Sequence, residues 1–416
     1  MRIALISMHT SPSEIPGSGD AGGMNVVVAE AARALGARGH EVVVATRATE
    51  ALAAGEYQLL SDDSHGAPVT LVALTAGPPQ LSKAEMPGVT SEFAVELRRL
   101  GSFDAVHAHY WLSGIAAREA WAAGGTGIAV TFHTIAAQKN ANLAAGDSPE
   151  PEARLAGERL LAETSFVIAG SQSELSGVID WYGAPRAGGS VVHPGVDTRL
   201  FSPRAQGAVG RASAGFEPLR GDRTLGVEPH RITVLGRIQP LKGQDLAVRA
   251  AGELARRDPE LFAHTEWVIA GEPTPGAEGY AADLRVLADR EGVLDRFRFL
   301  PAQSRADAAG LLASSTLVLV PSHSETFGLT ALEAGACGVP VVAAGHTGLV
   351  EAVPHDVAGI HLGDRDPATW AAAIATLLHD DARRARLGAS ARAHAVSHDW
   401  RAHAAALERC YSQLAR

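Results

Sequence analysis

The sequence has very little cysteine: only Cys337 and Cys410 occur among its 416 residues. The two lack the spacing of a metal site and form no disulfide framework. We interpret both as buried thiols, which behave as small apolar side chains. A chain with free thiols fits the reducing cytoplasm, so we expect a cytoplasmic location.

Basic residues and long apolar runs are also scarce. Lysine and arginine total 36 against 46 acidic residues, a net charge of −10, which argues against a nucleic-acid partner. The apolar run that follows Met1 ends before Ser7, too short for a signal peptide. No stretch is long enough to cross a membrane, so we expect no membrane insertion. The oligomeric state stays open, with a homodimer as one candidate.

The hydrophobic pattern alternates between short buried strands and helices. Residues 3–7 predict a strand, the glycine-rich segment 12–25 a loop, 26–38 a helix and 41–46 a second strand. Continuous valine runs indicate a sheet covered on both faces, as in parallel α/β folds. Further strands are predicted at 69–74, 105–108, 128–131, 166–169, 190–192, 231–235, 266–270, 298–300, 317–320, 339–343 and 359–362.

The strand–helix pattern breaks off at 203–229 and restarts at Arg231. Two such blocks predict an α/β protein with two Rossmann-like, doubly wound domains that face each other across a cleft. Ligands of such sheets bind at the carboxyl ends of the strands. We place the first domain at 1–195, the second at 196–398, and a C-terminal helix that crosses back to the first domain at 399–416.

Two strand-to-helix loops contain residues suited to binding a diphosphate. The segment 17–25 has glycines that let backbone N–H groups approach a phosphate at a helix N-terminus, although glycine runs also occur in flexible loops. The second loop, 236–243, contains Arg237 and Lys242, which can both reach one diphosphate. Such cations would stabilise the charge that builds on a departing nucleoside diphosphate.

Carboxylates and imidazoles follow other strands. Glu325 and Glu333 can border one cleft if the first lies in a loop and the second on a helix, and carboxylates accept hydrogen bonds from sugar hydroxyls. Imidazoles can act as acids or bases, and none of the pairs has the helical spacing of a zinc site, so we expect no metal. The histidines at predicted strand ends are His9, His107, His109 and His133.

Together these segments resemble the family-4 retaining glycosyltransferases of the two-Rossmann-domain GT-B type, over almost the whole chain. The marks of the donor site in that family are the Glu–x7–Glu run of Glu325 and Glu333 and the run from Gly236 to Gly243. Within the family, the first domain is most similar to the actinobacterial enzymes that begin mycothiol biosynthesis. Those enzymes transfer N-acetylglucosamine from UDP-GlcNAc to 1D-myo-inositol 3-phosphate. The matching segments are 7–12, 19–25, 81–83, 109–114, 133–134 and 149–154.

The resemblance implies a role for each matching residue in a retaining, metal-independent hexosyltransferase. The catalytic residues would be His133 beside the donor sugar, Arg237 and Lys242 at the leaving group, and Glu325 on the transferred sugar. The nucleotide sugar, a co-substrate rather than a bound cofactor, would also contact the backbone N–H of Gly23 and, through its ribose, Glu333. The acceptor phosphate would be held by Lys83, Tyr110, Thr134 and Arg154, and an inositol hydroxyl by Asn25.

The second domain departs from this branch of the family in two loops. Gly271-Glu272-Pro273-Thr274-Pro275-Gly276 stands where Gly-Gly-Pro-Ser-Gly is expected, and Gly345-His346-Thr347-Gly348-Leu349 where Gly-Gly-Leu is expected. Three alternatives therefore stay open. One is a paralogue in antibiotic biosynthesis, such as a lincosamide-type S-glycosyltransferase that joins a GDP-linked octose to ergothioneine. The others are a nucleotide-sugar 2-epimerase and a catalytically inactive sensor of nucleotide sugars.

Overall fold

A computed structural model of the chain describes residues 1–59, 67–143, 148–203 and 229–414. These residues form two α/β domains, each built on its own mostly parallel sheet, as the hydrophobic pattern predicts. The predicted irregular stretch 203–229 lies almost wholly outside the described residues. The division between residues 195 and 196 stays a prediction.

The first domain has an eight-stranded sheet in the order β3-β4-β2-β1-β5-β6-β7-β8. Only β3 is antiparallel, and it pairs with β4 at the edge. The strands are β1 Arg2–Ile6, β2 Glu41–Arg47, β3 Gly55–Gln58, β4 Val69–Leu74, β5 Ala105–His109, β6 Ile128–Thr131, β7 Phe166–Ala169 and β8 Gly189–Val191. The helices are α1 Gly23–Ala37, α2 Thr90–Arg99, α3 Trp111–Trp121, α4 Ala136–Ala141, α5 Glu152–Thr164 and α6 Gln172–Tyr182.

The second domain has a six-stranded parallel sheet in the order β11-β10-β9-β12-β13-β14. Its strands are β9 His230–Leu235, β10 Thr265–Ala270, β11 Phe297–Leu300, β12 Leu317–Val320, β13 Val341–Ala344 and β14 Gly359–Leu362. The helices that follow in chain order are α7 Gln244–Arg257, α8 Pro259–Ala263, α9 Glu278–Arg290, α10 Arg305–Ala313, α11 Leu329–Ala336, α12 Leu349–Ala352, α13 Pro367–His379, α14 Asp381–Val396 and α15 Trp400–Leu414.

Three sequence predictions need correction. Helix α1 begins at Gly23 and not at 26, so the end of the predicted glycine-rich loop is helical. Strand β3 was not predicted, because its four residues are all exposed and give no apolar signal. The strand predicted at 339–343 lies at Val341–Ala344, since the preceding proline cannot donate to a ladder.

Both faces of the first sheet are covered, which explains the continuous apolar runs. Successive residues of β1 point to opposite faces, so Ile3 and Leu5 enter one core while Ala4 and Ile6 enter another. The face of Ile3 and Leu5 is covered partly by α15, the last helix of the chain. The predicted return of the C-terminal helix to the first domain is therefore observed.

A buried hydrogen-bond chain anchors α15. The Thr131 hydroxyl donates to the Ile168 carbonyl at 2.6 Å, so it must accept from His107 Nε2, 2.9 Å away. Burial lowers the His107 pKa to about 3, so the ring is neutral and its Nδ1 accepts from the Tyr411 hydroxyl at 2.9 Å. Although it was a candidate for catalysis, His107 is thus fully engaged in joining the sheet to α15.

A buried carboxyl group, Glu174, stabilises the start of α6. The Ser171 hydroxyl caps this helix by accepting from the Glu174 N–H at 3.0 Å, and Glu174 Oε2 accepts from the Gly170 N–H at 2.6 Å. Burial raises the Glu174 pKa to about 7, against the opposing effect of that N–H group. A carboxyl group that titrates near neutrality makes stability depend on pH.

We expect Glu174→Gln to gain stability relative to the parent chain as pH rises. The folded-state pKa of about 7 lies above the ordinary 4.5, so the contribution of this group is present below pH 4.5 and lost between there and pH 7. Glutamine keeps an acceptor for Gly170 and does not titrate. The stability difference should grow by up to ~3 kcal/mol between pH 4.5 and 8. Thermal unfolding at both pH values measures it, with the exposed Glu163→Gln as control; a pH-independent difference would contradict the prediction.

Candidate functional site

The carboxyl ends of both sheets border one cleft between the domains, with a cavity of about 330 Å³. This is where parallel α/β sheets bind ligands, because loops and helix N-termini gather there. Of the predicted site residues, most line this cleft: Gly23, Lys83, Tyr110, His133, Thr134, Arg237, Lys242, Glu325 and Glu333. Asn25 and Arg154 are buried just behind its wall.

The N-terminus of α1 approaches the second domain closely, and glycines make this approach feasible. A Cβ atom at Gly22 would lie 3.3 Å from Arg237 Nε, and one at Gly23 would lie 3.2 Å from Leu329 Cδ1. The Arg237 guanidinium reaches back to the Asp20 carbonyl oxygen at 3.5 Å. The free N–H groups of the helix and this cation therefore face the same volume, an arrangement that favours an anion.

Arg237 and Lys242 lie on the loop between β9 and α7, as predicted. A 3₁₀ turn at Pro240–Lys242 is followed by Gly243, whose φ of 66° lies in the left-handed region. The Gln244 side chain at the start of α7 donates to the Arg237 carbonyl at 2.8 Å and so ties the loop to the helix. Burial lowers the pKa of Arg237, while Asp20 and Glu325 oppose the shift.

Glu325 lies in the loop before α11, and its carboxylate is held on one oxygen by two donors. Lys242 Nζ is 2.6 Å from Oε1, and the Ser322 hydroxyl donates to the same oxygen at 2.8 Å. The Glu325 N–H donates to the Thr347 hydroxyl at 3.1 Å. The leaving-group cation and the sugar-binding carboxylate of the sequence prediction are thus in direct contact.

Glu333 lies on α11, so one of the pair is on a loop and the other on a helix, as the sequence analysis required. Its Oε1 is 3.1 Å from Arg305 Nη1. Burial raises the pKa of Glu333, and Arg305 opposes this shift. A ribose hydroxyl that bound Glu333 would share the carboxylate with Arg305.

His133 is a half-buried imidazole in the cleft wall. Its backbone has a φ of 60°, which is uncommon for a residue other than glycine. Its Nε2 is 2.9 Å from His109 Nδ1, and burial lowers the His133 pKa to about 3. The Thr326 hydroxyl of the second domain donates to the His133 carbonyl. The neighbour of Glu325 therefore contacts the histidine predicted to touch the donor sugar.

The Tyr110 ring gathers the predicted acceptor residues. Lys83 Nζ lies 5.0 Å from the ring centroid and Arg154 Cζ lies 4.7 Å from it, both within cation–π range. The His9 ring is 4.2 Å away. Burial lowers the pKa of His9 far below its usual value, and the charges of Lys83 and Arg154 add to the shift. Two cations therefore flank the Tyr110 ring at this corner of the cleft.

Arg154 is less available than the sequence implied. Its Nη2 donates to the Thr134 hydroxyl at 2.7 Å, Nε donates to Glu158 at 2.6 Å, and Nη1 is 2.9 Å from Glu150. It compensates Glu158, whose side chain is 0% exposed, so loss of Arg154 would leave a buried carboxylate without its cation. Lys83 is less tightly held: its side chain is 40% exposed, and its ion-pair partner Asp20 lies 4.0 Å from its Nζ.

Asn25 is engaged in the start of α1. Its Oδ1 accepts from the Gly22 N–H at 2.9 Å, and its Nδ2 donates to the Ser11 carbonyl at 2.7 Å. One amide hydrogen and one oxygen lone pair remain for a ligand. The predicted contact with an inositol hydroxyl stays a prediction.

Sequence reasoning missed several residues that complete the site. They are Lys139, Arg305, Ser322, Thr326 and Thr347, all of which line the cleft. Thr326 lies within the Glu–x7–Glu run and Ser322 three residues before it, so proximity to the motif could have indicated both. Lys139 contacts Glu150 at 2.7 Å and Arg305 reaches Glu333, contacts that join separate segments and leave no local signal.

In the parts of the chain that the structure describes, no group of three or more His, Cys, Asp or Glu side chains is arranged to hold a metal ion. No helix among the same residues is both long and apolar enough to cross a membrane.

Two family models match the chain, one for each half. The model described as Glycosyltransferase Family 4 matches residues 21–200, and the model described as Glycosyl transferases group 1 matches residues 216–394. The first covers α1 and the residues around Tyr110. The second covers Arg237, Lys242 and the Glu–x7–Glu run.

Named relatives extend over nearly the full chain. D-inositol 3-phosphate glycosyltransferase of Salinispora arenicola is 41% identical over 413 residues, which is 96% of this chain and 89% of the relative. The protein of the same name from Acidothermus cellulolyticus is 40% identical, covering 96% and 87%.

Solved structures share the fold. Sucrose-phosphate synthase from Thermosynechococcus elongatus superposes with a TM-score of 0.83 at 24% identity, covering 99% of this chain and 98% of that one. Anabaena HepE, solved in complex with UDP and glucose, gives a TM-score of 0.73 at 21% identity and 99% coverage of both chains. From the sequence matches, with these folds in agreement, the chain belongs to glycosyltransferase family 4 and is a glycosyltransferase of the GT-B type.

Proposed function

We propose that this glycosyltransferase moves a sugar from a nucleoside diphosphate sugar to a small anionic acceptor, with retention of anomeric configuration. UDP-N-acetylglucosamine is the proposed donor and 1D-myo-inositol 3-phosphate the proposed acceptor, in the cytoplasmic first step of mycothiol biosynthesis. The observation that carries the proposal is the meeting of Arg237 and Lys242 with the N-terminus of α1 in one cleft, beside Glu325 and Glu333. The names of the relatives support the choice of acceptor.

The diphosphate has suitable partners on both walls of the cleft. Arg237 supplies a planar fork, Lys242 a point charge, and the first turn of α1 free N–H groups, including that of Gly23. These groups would bind the diphosphate. Their electrostatic interaction with it would strengthen as the sugar–phosphate bond breaks, because negative charge grows on the leaving oxygen. Their charge can serve in place of a divalent cation.

The two carboxylates would bind the sugar and the ribose. Glu325 has one oxygen occupied by Lys242 and Ser322, which leaves Oε2 to accept from sugar hydroxyls. Glu333, at the other side of α11, would accept from the ribose. His133 is neutral, so it can contact the sugar without adding positive charge near the anomeric carbon.

Retention follows from a front-side attack. The acceptor hydroxyl would approach the anomeric carbon on the face that the diphosphate leaves. A bond forms between the acceptor oxygen and the anomeric carbon, the bond between that carbon and the phosphate oxygen breaks, and the departing phosphate takes the acceptor proton. Arg237 and Lys242 hold the phosphate in place while this occurs.

The acceptor corner supports an anion. Lys83 and Thr134 face the cleft around Tyr110, and Arg154 reinforces them from behind through its bond to the Thr134 hydroxyl. A phosphate suits this set best, and a carboxylate second. A carboxylated thiol such as ergothioneine would use the same corner, so the acceptor assay separates the two.

We expect product from UDP-N-acetylglucosamine and inositol 3-phosphate in the presence of a chelator. The product should have the same anomeric configuration as the donor, as read by the coupling of its anomeric proton in NMR. A panel of UDP- and GDP-sugars with inositol phosphate, plain inositol and small thiols, analysed by mass spectrometry, tests the substrates. Inversion would refute the mechanism, conversion of donor alone would indicate an epimerase, and no turnover with any pair would refute the function.

Lys242→Ala should lower kcat by about a hundredfold, as removal of one donor to a developing anion does. Arg237→Ala should act similarly, and the double variant should lose less than the product of both effects, because the two cations act on one diphosphate. Steady-state kinetics with saturating acceptor measure this. Arg249→Ala on α7 is the control, a cation with a side chain 48% exposed. Normal turnover in either single variant would remove that residue from the leaving-group site.

Lys83→Ala should raise the KM of the phosphorylated acceptor at least tenfold and leave kcat and donor binding nearly unchanged, since uniform binding energy is lost. Substitution of Lys83 is a better test than substitution of Arg154, because loss of Arg154 also removes the ion-pair partner of Glu158. The exposed Arg99→Ala is the control. If plain inositol serves the parent chain as well as its phosphate, the anion pocket is wrong.

A further inference from the structure

Thr347 has a backbone conformation that β-branched residues rarely adopt. Four non-glycine residues in the described part of the chain have positive φ, and at Thr347 the value is 56°. The left-handed region brings Cβ against the following carbonyl oxygen, which is unfavourable for residues other than glycine. Such a conformation persists where its surroundings impose it, often at functional sites.

The contacts of Thr347 lead directly to the sugar-binding carboxylate. Its hydroxyl accepts from the Glu325 N–H at 3.1 Å, and the next N–H, of Gly348, donates to the Glu325 carbonyl at 2.9 Å. Both sides of the Glu325 backbone are therefore held by this loop. A side chain at 348 is excluded because a Cβ there would collide with the Thr326 backbone.

Compared with glycine, threonine at this position supplies a hydroxyl group that can accept a hydrogen bond. Glycine, which the family resemblance leads us to expect in this loop, would adopt the same φ without strain but could not accept the hydrogen bond. The next residue along the chain from Glu325, Thr326, donates to the His133 carbonyl across the cleft. Thr347 thus holds the segment that links Glu325 to His133, and it lines the cleft itself.

We propose that Thr347 is a positioning residue for the transferred sugar: its hydroxyl fixes the Glu325 backbone so that the carboxylate faces the sugar hydroxyls. The inference rests on the proposed function, in which Glu325 binds the sugar. It assigns no role to Thr347 in binding the nucleotide, because its hydrogen bond goes to Glu325 and not to the diphosphate loop at Arg237 and Lys242.

Three substitutions at Thr347 distinguish the effects of its hydroxyl group, its side-chain volume and its backbone strain. Thr347→Ser keeps the hydroxyl, and we expect the donor kcat/KM to stay within threefold of the parent. Thr347→Val keeps the shape and the strain without an acceptor, and Thr347→Gly removes both strain and acceptor. Both should lower the donor kcat/KM about tenfold. Thr376→Val on α13 is the matched control, since that hydroxyl donates to the Ala372 carbonyl within its own helix.

Two further measurements distinguish positioning from a merely structural role. Binding of UDP or GDP alone, by calorimetry, should stay within twofold of the parent in every variant. The Tm of Thr347→Gly should stay close to that of the parent although its turnover is lower, because relief of backbone strain offsets the lost hydrogen bond and the greater freedom of glycine in the unfolded chain. If Thr347 acted only on stability, the fall in turnover would be accompanied by a fall in Tm.

Parent-like donor kcat/KM in Thr347→Val or Thr347→Gly, or nucleotide affinity that falls with turnover, would overturn the inference alone. A parent chain that transfers no sugar from any nucleotide donor would instead overturn the proposed function, and this inference with it.

Discussion

The whole site depends on one place where the chain crosses between the two domains twice. Val196, on the way out of the first domain, donates its N–H to the His398 carbonyl at 2.8 Å, just before α15 returns. Gly195 has no room for a side chain, because a Cβ would lie 2.7 Å from the Trp400 nitrogen. These adjacent crossings, with α15 anchored through Tyr411 and His107, keep the carboxyl edges of the two sheets facing each other.

Once the edges face each other, the cleft collects charges that compensate one another. Lys242 is paired with Glu325, Arg305 with Glu333, and Arg154 with Glu150 and Glu158. Buried or half-buried charges need such partners, since desolvation without pairing is unfavourable. A diphosphate sugar offers alternative partners for these groups, so its binding would exchange ion pairs instead of creating new buried charges. Arg237, whose guanidinium hydrogen-bonds only to a carbonyl among the described residues, is the cation most open to an anion.

Backbone strain is concentrated at the same cleft. Tyr110, His133 and Thr347 all have positive φ without being glycine, and all three line the cavity. They come from two domains and three loops, and each is fixed by contacts from other segments. The sheets and their helices supply the rigidity that holds these loops in conformations that they would not adopt alone.

The sequence determined the α/β class, the two sheets and nearly every strand, because a buried parallel strand must be a continuous apolar run. It also placed Arg237 and Lys242 on a loop and indicated Glu325 and Glu333, since these motifs are local. Tertiary structure alone decided that Lys242 contacts Glu325, that Asn25 and Arg154 are largely occupied by neighbours, and that His107 anchors α15. Those outcomes depend on contacts between segments far apart in the chain, and the spacing of residues within one segment contains no information about what packs against it.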